Sequence, residues 1–300
     1  MTSGRVTKKQ QVKPPWLKRR LPAGFICKEV STLINNAKVH TVCQEAQCPN
    51  IWECFSRKTA TFMLMGDHCT RNCRFCAVAN GPNRFPDPEE PLRIARMVQN
   101  LSLDYVVITS VTRDDLPDGG ASFFVRTVKE IRRKVPHALI ELLTPDFQGN
   151  KDALRSIAEV RPDVLNHNIE TVPRLYTIVR PEAAYRRSLD LLKHVATFDS
   201  TIITKSGLML GLGEHPDEIL NTLKDLLDAG CQLVTIGQYL QPTKAHLPVE
   251  RYIPPKEFDD WRNVALEVGF AEVASGPFVR SSYHAKKLYQ TVKPFISHSS

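Results

Sequence analysis

Six cysteines in the first 76 residues have the spacing of metal ligands. They form two groups of three, which are Cys43, Cys48 and Cys54, and Cys69, Cys73 and Cys76. Thiolates spaced this closely can converge on one metal centre, and iron–sulfur clusters are commonly held in this way. A four-iron cluster that receives three cysteines leaves one iron without a thiolate. The sequence therefore predicts two cluster sites, each with one iron that binds another ligand or a reagent.

A zinc site is the alternative for the second group. Structural zinc sites usually combine four ligands from two knuckles, and only Cys73-x2-Cys76 has the spacing of one knuckle. His68 could complete a set of four ligands with the second group, so zinc stays open at this point.

Disulfide bonds fit the cysteine pattern poorly. No signal-peptide pattern opens the chain, so the thiols are expected in a reducing compartment and the protein in the cytoplasm. The two remaining cysteines are interpreted as structural. Cys231 lies at a predicted helix–strand junction, where a small buried apolar residue fits, and Cys27 lies outside both groups.

The net charge of +8 is concentrated at the start of the chain. Residues 1–28 hold eight Lys and Arg and no acidic residue, and the other 32 basic residues balance the 32 acidic ones. Such an arm could steer an acidic partner, with a solvated, partly disordered terminus or a targeting peptide as alternatives. A nucleic-acid-binding face should belong to the folded domain, and no apolar run is long enough to cross a bilayer. We therefore expect neither nucleic acid nor a membrane as a partner.

Strand and helix patterns alternate from residue 60 onwards. The six predicted strands are Thr59–Met65, Tyr105–Ser110, Ala138–Leu143, Asp163–Asn168, Thr201–Leu210 and Gln232–Gly237. Helical patterns lie near 89–101, 121–135, 151–160, 183–196, 216–229 and 256–268, and a further strand pattern follows at Ala271–Ser275. Six βα units predict an α/β fold with an open, partial (β/α)6 barrel, and a doubly wound sheet is the alternative.

The predicted organisation has four parts. Residues 1–28 are the basic arm, 29–59 an irregular N-terminal extension with the first cysteine group, 60–270 the barrel, and 271–300 a C-terminal extension. In either architecture, ligands bind at the carboxyl ends of the strands. The second cysteine group directly follows the first strand, so we expect its loop at that end.

The second group and its position resemble the radical S-adenosylmethionine (SAM) enzymes. Their hallmark is CxxxCxxC after the first strand of a partial barrel, and Cys69–Cys76 reads CTRNCRFC. The resemblance implies a four-iron cluster whose fourth iron binds the amino and carboxylate groups of SAM. It also implies reductive cleavage of SAM to methionine and a 5′-deoxyadenosyl radical, with Phe75 packed near the cofactor.

The same resemblance implies SAM contacts at the ends of later strands. The candidates are Thr109 and Ser110 after the second strand, Asn168 and Glu170 after the fourth, and Gly211 and Gly213 after the fifth. Glu170 could bond ribose hydroxyls, and a turn or capping role is the alternative for each residue. Asp114, Asp115 and Asp118 could form a paired-carboxylate site, although a solvated acidic loop fits them as well.

The wider pattern resembles the lipoyl synthase family from about Leu33 to Tyr283. The matching segments are His40–Ala46 (HTVCQEA), Cys48–Asn50 (CPN), Thr109–Val111 (TSV), Arg113–Leu116 (RDDL), Asn166–Asn168 (NHN), Gly207–Met209 (GLM), Gln238–Pro242 (QYLQP) and Arg280–Tyr283 (RSSY). The resemblance implies that the first cysteine group holds an auxiliary four-iron cluster whose fourth ligand is a serine of RSSY. We expect Ser281 in this role, with Ser282 as the alternative.

The resemblance further implies a sulfur transferase that inserts sulfur at C6 and C8 of a protein-bound octanoyl-lysine, giving the lipoyl cofactor and sacrificing the auxiliary cluster. The implied partners are octanoylated lipoyl carrier domains of 2-oxoacid dehydrogenase E2 subunits or of the glycine cleavage H protein. An electron donor such as ferredoxin or flavodoxin and an iron–sulfur cluster carrier would support the reaction. We expect a monomer. Another two-cluster radical SAM enzyme and an iron–sulfur electron carrier are the alternatives.

Overall fold

Eight strands form one sheet in the computed structural model, which describes residues 12–18, 25–46, 48–56, 61–81 and 84–296. In chain order the strands are β1 (His40–Thr41), β2 (Thr61–Leu64), β3 (His68–Cys69), β4 (Ala79–Asn80), β5 (Tyr105–Ser110), β6 (Leu139–Leu143), β7 (Val164–Asn166), β8 (Ile203–Leu210), β9 (Leu233–Gln238) and β10 (Glu272–Gly276). The large sheet has the order β1-β2-β5-β6-β7-β8-β9-β10, and β3 pairs separately with β4.

The large sheet is an open barrel of parallel strands. β1 runs antiparallel to β2 at one edge, and every other pair of neighbours is parallel as far as β10 at the opposite edge. Among the described strands, none joins the two edges. The predicted open partial barrel is therefore confirmed, with β10 as a seventh parallel strand beside the six predicted ones.

Eleven helices accompany these strands in the described chain. They are α1 (Phe25–Asn36), α2 (Val42–Glu45), α3 (Ile51–Ser56), α4 (Glu90–Asn100), α5 (Ala121–Lys134), α6 (Lys151–Glu159), α7 (Tyr176–Val179), α8 (Tyr185–Phe198), α9 (Pro216–Asp228), α10 (Pro255–Val268) and α11 (Ala285–Ile296). The six predicted helices correspond to α4, α5, α6, α8, α9 and α10. In α6, for example, Leu154 and Ile157 are buried in the main core, and Asn150 caps the first turn by accepting the Ala153 N–H at 3.1 Å.

The stretch from 29 to 59 was predicted to be irregular, and in its described part this prediction is wrong. α1 ends at Asn36, β1 pairs with β2, and α2 and α3 follow. The Thr41 hydroxyl caps α2 by accepting the Gln44 N–H at 3.4 Å. Cys43 and Cys54 therefore sit on short helices, where the backbone fixes the direction of their side chains.

Side chains of the barrel strands alternate between two cores, as the two-residue repeat of a strand requires. In β5, Val106 and Ile108 pack under the outer helices, whereas Tyr105 and Val107 belong to a second core with α11. α11 therefore packs against the inner face of the barrel.

No helix was predicted at α11 from the sequence, although a signal is present. Ala285, Leu288, Tyr289 and Val292 are the buried α11 residues of the inner core. Their spacing places them on one helix face, so the apolar period could have revealed the helix but not its partner.

A buried ion pair lies among the inward-facing residues. Lys205 Nζ lies 2.9 and 3.2 Å from the two carboxylate oxygens of Glu141, and both side chains are fully buried. Tyr105 and Asn166 also donate hydrogen bonds to this carboxylate, at 2.7 and 2.8 Å. The network satisfies two charges that would be very costly to bury alone.

Part of the basic arm lies outside the described residues, namely 1–11 and 19–24. Within Val12–Lys18, a 3-10 helix spans Pro15–Leu17, and Leu17 is buried. No helix in the described part of the chain is long and apolar enough to span a membrane.

Candidate functional site

The loop with the second cysteine group begins after β2, at the carboxyl ends of the barrel strands. Three other segments fasten it. The Thr70 N–H donates to Thr112 O at 3.0 Å, and the Arg74 N–H donates to Val179 O at 2.9 Å. His246 Nε2 lies 2.9 Å from Cys76 O and donates to it, because a carbonyl can only accept. These bonds fix the loop before any ligand binds.

Arg71 ties the cysteine loop to two further loops. It makes a bidentate pair with Asp114 at 2.6 and 2.9 Å and also donates to Asp146 at 2.6 Å. Burial raises the pKa of Asp146, but the hydrogen bond and charge of Arg71, with smaller effects from His167 and the Gln148 N–H, together outweigh burial and hold this pKa at about 2. Arg71 therefore holds the cysteine loop to these two segments through charge-assisted hydrogen bonds.

The suggested paired-carboxylate site is not supported by the geometry. Asp114 pairs with Arg71, and Asp115 pairs with Arg113 at 2.7 Å. Asp118 accepts the N–H groups of Gly120 and Ser122 at the start of α5. Each carboxylate has its own structural partner, so these residues organise the loops.

The thiols of the second group lie in a mostly buried environment. Cys69 Sγ accepts the N–H groups of Arg71 and Thr112 at 3.4 and 3.3 Å. Burial raises the pKa of Cys73 to about 12 against the opposing charge of Arg180, and Cys76 and Cys69 add to the rise. Burial likewise raises the pKa of Cys76 to about 11. Such thiols ionise at neutral pH only when a metal binds them.

The spacing of the thiols distinguishes a cluster from a single ion. In a tetrahedral zinc site with Zn–S bonds of about 2.3 Å, sulfur atoms lie about 3.8 Å apart. Among the described residues, neither cysteine group brings three ligand atoms within 4.8 Å of one another, and His68 does not complete such a set. Yet the thiols within each group are close enough to influence one another's pKa. This wider convergence fits a polynuclear cluster and disfavours zinc.

The first cysteine group is anchored to the end of the chain. Asn50 donates its side-chain amide to Phe278 O at 2.7 Å, and the Tyr283 hydroxyl donates to the Glu53 carboxylate at 3.2 Å. Burial raises the pKa of Cys43 to about 12, with the Thr61 backbone opposing. The N-terminal and C-terminal extensions therefore build this site together.

A cavity of about 730 Å³, a volume typical of ligand sites, is lined by residues of both extensions and by the segment that leads into β5. Cys43, Cys54 and Ser282 lie on its wall. Ser281 is not part of this wall, and its hydroxyl donates instead to Asn168 Oδ1 at 2.7 Å. Ser282 therefore shares a cavity wall with two of the cysteines, whereas the hydroxyl of Ser281, the expected ligand, bonds elsewhere, and the choice of serine ligand stays a prediction.

The residues at the end of β5 differ in their freedom to bind a ligand. The Thr109 hydroxyl is already used, because it donates to Leu143 O at 2.8 Å. The Ser110 hydroxyl is buried and has no hydrogen-bond partner among the described residues. The Nε of buried Arg180 is in the same situation. Buried polar atoms rarely stay unpaired, so both atoms fit a polar ligand that binds at this end.

Asn168 and Glu170 lie side by side after β7. Asn168 Nδ2 donates to Glu170 Oε1 at 3.0 Å, and Arg180 Nη1 donates to Asn168 O at 2.8 Å. Burial raises the pKa of Glu170, with Arg180 opposing the rise. Glu170 adopts a left-handed backbone with φ of 66°, a conformation unusual for a residue with a side chain. Two predicted contacts therefore form one polar unit beside the cysteine loop.

The remaining candidates have smaller roles in the geometry. The Gly211 N–H donates to Glu214 Oε2 at 2.9 Å, and a side chain at Gly211 would collide with Gln238 and the Arg251 backbone. Gly211 is thus required by packing, whereas a Cβ at Gly213 would make only ordinary contact with Glu250, although its φ of 105° also favours glycine. Phe75 is half-buried and packs against the main core. Arg71, Arg180 and His246 were not predicted as site residues, because single basic residues in loops carry no sequence pattern.

The comparisons with known proteins agree with this fold and site. Residues 63–226 match the model of the radical SAM superfamily. SuiB of Streptococcus suis, solved bound to S-adenosylmethionine, has a TM-score of 0.53 at 13% identity over 81% of this chain and 57% of its own. Methylornithine synthase has a TM-score of 0.51 at 14% identity over 83% of this chain and 81% of its own. Both likenesses concern the fold alone.

An open parallel barrel with three converging cysteines after its first strand defines a radical SAM enzyme, which uses SAM and a 4Fe–4S cluster. Lipoyl synthase of Desulfotalea psychrophila is 58% identical over 93% of this chain and 93% of its own length. Lipoyl synthase of Rubrobacter xylanophilus is 52% identical over 91% of this chain and 85% of its own. The chain belongs to the lipoyl synthase family of radical SAM sulfurtransferases.

Proposed function

We propose that this chain builds the lipoyl cofactor in place, by inserting two sulfur atoms at C6 and C8 of an octanoyl-lysine on a lipoyl carrier protein. The observation that carries the proposal is the presence of two cysteine groups, each too widely spaced for one ion. Ser282 lies on a cavity wall with Cys43 and Cys54, and Ser281 is hydrogen-bonded to Asn168. One group would serve radical generation and the other would supply sulfur.

The second cysteine group would hold the SAM-binding 4Fe–4S cluster through Cys69, Cys73 and Cys76. When bound, this cluster and SAM supply the 5′-deoxyadenosyl radical that removes hydrogen from the unactivated C6 and C8 positions, one SAM for each carbon. Ser110 and Arg180 would offer their unpaired polar atoms to SAM, and Asn168 and Glu170 would face its polar groups.

The first cysteine group would hold the auxiliary 4Fe–4S cluster, which is a substrate because its sulfide ends in the product. Cys43, Cys48 and Cys54 would be three of its ligands. We assign the fourth position to Ser282, because Ser282 lies on the cavity wall with Cys43 and Cys54. A serine oxygen is harder than a thiolate and suits iron–sulfur bonding less well, so this bond would favour release of an iron when the cluster is consumed.

The chain's own groups prepare the site before any radical forms. Arg71 fixes the cysteine loop through Asp114 and Asp146. The buried charge of Arg180 lies near Cys73 and Glu170.

The supporting partners follow from the chemistry. We propose a small electron donor such as ferredoxin or flavodoxin, and an iron–sulfur carrier that rebuilds the auxiliary cluster after each turnover. We further propose a cytoplasmic monomer with a basic arm (1–28), two extensions (29–59 and 271–300) and the barrel (60–270) between them.

Anaerobic reconstitution with iron and sulfide, followed by reaction with SAM, reductant and an octanoylated carrier domain, tests the proposal. Mass spectrometry should detect the lipoyl product on the carrier, and the protein should lose auxiliary iron in step with product. An unmodified octanoylated carrier despite two intact clusters and active SAM cleavage would contradict the proposal. A carrier domain without the octanoyl group is the matched control.

A further inference from the structure

Two adjacent serines of the C-terminal extension reach the two candidate sites separately. The Ser281 hydroxyl donates to Asn168 Oδ1 at 2.7 Å, beside the SAM residues. Ser282 lies on the cavity wall with Cys43 and Cys54. Adjacent Cα atoms are only about 3.8 Å apart, so one short segment contacts both sites.

The bond to Glu170 decides the orientation of the Asn168 amide, and the Ser281 hydroxyl donates to the end that remains. Asn168 Nδ2 lies 3.0 Å from a Glu170 carboxylate oxygen, and an ionised carboxylate can only accept. The amide nitrogen must therefore face Glu170, and the amide oxygen faces Ser281. Both ends of the amide are held, one by each neighbour.

The surrounding structure leaves room for this arrangement. A Cβ atom at Gly207 would lie 2.6 Å from Asn168 Oδ1, so the glycine on β8 permits the close approach of the amide. Arg180 also fixes the backbone by donating to Asn168 O at 2.8 Å. The side chain of Asn168 thus depends on Ser281 for one of its two polar contacts.

We propose that Ser281 is a positioning residue for SAM binding and not an iron ligand. Its hydroxyl holds Asn168, and through it the contact with Glu170, in the orientation that the SAM site uses. This inference rests on the proposed function, because it takes Asn168 and Glu170 as part of the SAM site.

The test uses the full chain with both clusters loaded and oxidised, without reductant, so that SAM binds but is not cleaved. Equilibrium dialysis gives the Kd for SAM, and iron and sulfide analysis gives the cluster content. Ser281→Ala should weaken SAM binding about five- to tenfold, as expected for one lost hydrogen bond that leaves its partner unpaired. Iron content should match the wild type, and Ser281→Thr, which keeps the hydroxyl, should restore most of the affinity.

Ser282→Ala is the matched control, since it removes the same hydroxyl one residue later. It should lower the auxiliary iron content, which Ser281→Ala leaves unchanged. A loss of auxiliary iron in Ser281→Ala, or a Kd equal to that of the wild type, would overturn the inference.

A double-mutant cycle shows whether Ser281 acts through Asn168. Asn168→Ala combined with Ser281→Ala should bind SAM no more weakly than Asn168→Ala alone, because the second change then removes nothing further. Fully additive losses would refute the mechanism. A wild-type protein that binds no SAM would defeat the proposed function itself, an outcome distinct from both.

Discussion

Asn50 and Phe278 are 228 residues apart in sequence, yet the Asn50 amide donates to the Phe278 carbonyl at 2.7 Å. Asn50 lies two residues after Cys48 in the CPN segment and is almost completely buried. The bond joins the segment that carries the first cysteine group to the extension that carries Ser282. A site assembled from the two ends of the chain depends on such contacts.

Asn50→Ala should therefore impair the auxiliary site more than the SAM site. The substitution removes a buried bond and should cost about 1–3 kcal/mol. Auxiliary iron should be lost faster on exposure to a chelator, while reductive SAM cleavage persists. Asn221→Ala, at an exposed position of α9, is the control, and equal iron loss in both variants would refute this role of Asn50.

Substitutions in the two cysteine groups should impair different steps of the reaction. Cys73→Ala should abolish reductive SAM cleavage, because the cluster that binds SAM loses a ligand. Cys48→Ala should retain part of the cleavage and form no lipoyl product, because only the sulfur-supplying site is damaged. Chromatographic detection of 5′-deoxyadenosine and mass analysis of the carrier measure the two outcomes. If both folded variants lose cleavage equally, the division of roles is wrong.

The buried pair of Lys205 and Glu141 should be costly to break from one side. Lys205→Met leaves the Glu141 charge buried without its cation, at a cost of about 3–5 kcal/mol, and should markedly lower the thermal unfolding midpoint. Lys205→Met combined with Glu141→Gln removes both charges. The new amide oxygen can accept from Asn166 and the amide nitrogen can donate to the Tyr105 hydroxyl, so the double variant should recover most of the loss. Lys256→Met, at an exposed ion pair with Asp260, should change little. A double variant as unstable as Lys205→Met would contradict this account.

His167 should make stability depend on pH. Burial lowers the pKa of His167 to about 4, from about 6.5 in an unfolded chain. Below about pH 6.5 the unfolded chain binds a proton on this histidine, whereas the folded protein binds it only near pH 4. The contribution of His167 to the free energy of unfolding is therefore complete above about pH 6.5 and decreases as the pH falls to about 4. The loss from about pH 7.5 to about pH 5 amounts to about 2 kcal/mol.

Thermal unfolding across this range checks the dependence. His167→Gln should show a shallower fall of the unfolding midpoint with decreasing pH than the wild type. His137→Gln, at an exposed position, should keep the wild-type slope. An unchanged slope in His167→Gln would show that another group controls the dependence.

The barrel was predictable because its signals are local, and the six cysteines were predicted as cluster ligands from a signal of the same kind. Cysteine spacing, apolar strand runs and helical periods each lie within a few residues, and short-range geometry determines what they form. The α11 helix had such a signal too, in Ala285, Leu288, Tyr289 and Val292, but its place inside the barrel had none.

The sequence by itself determined the open parallel barrel and the two groups of three cysteines, and the resemblance of the RSSY segment offered two serines as candidates for the fourth auxiliary ligand. Only the tertiary structure separated those serines, directing Ser281 to Asn168 and Ser282 to the cavity with Cys43 and Cys54. The tertiary structure also showed that Asp114 forms an ion pair with Arg71 and that Asp115 forms one with Arg113. The physical reason is that these partners meet through packing between distant segments, and which way a side chain points there depends on the whole fold.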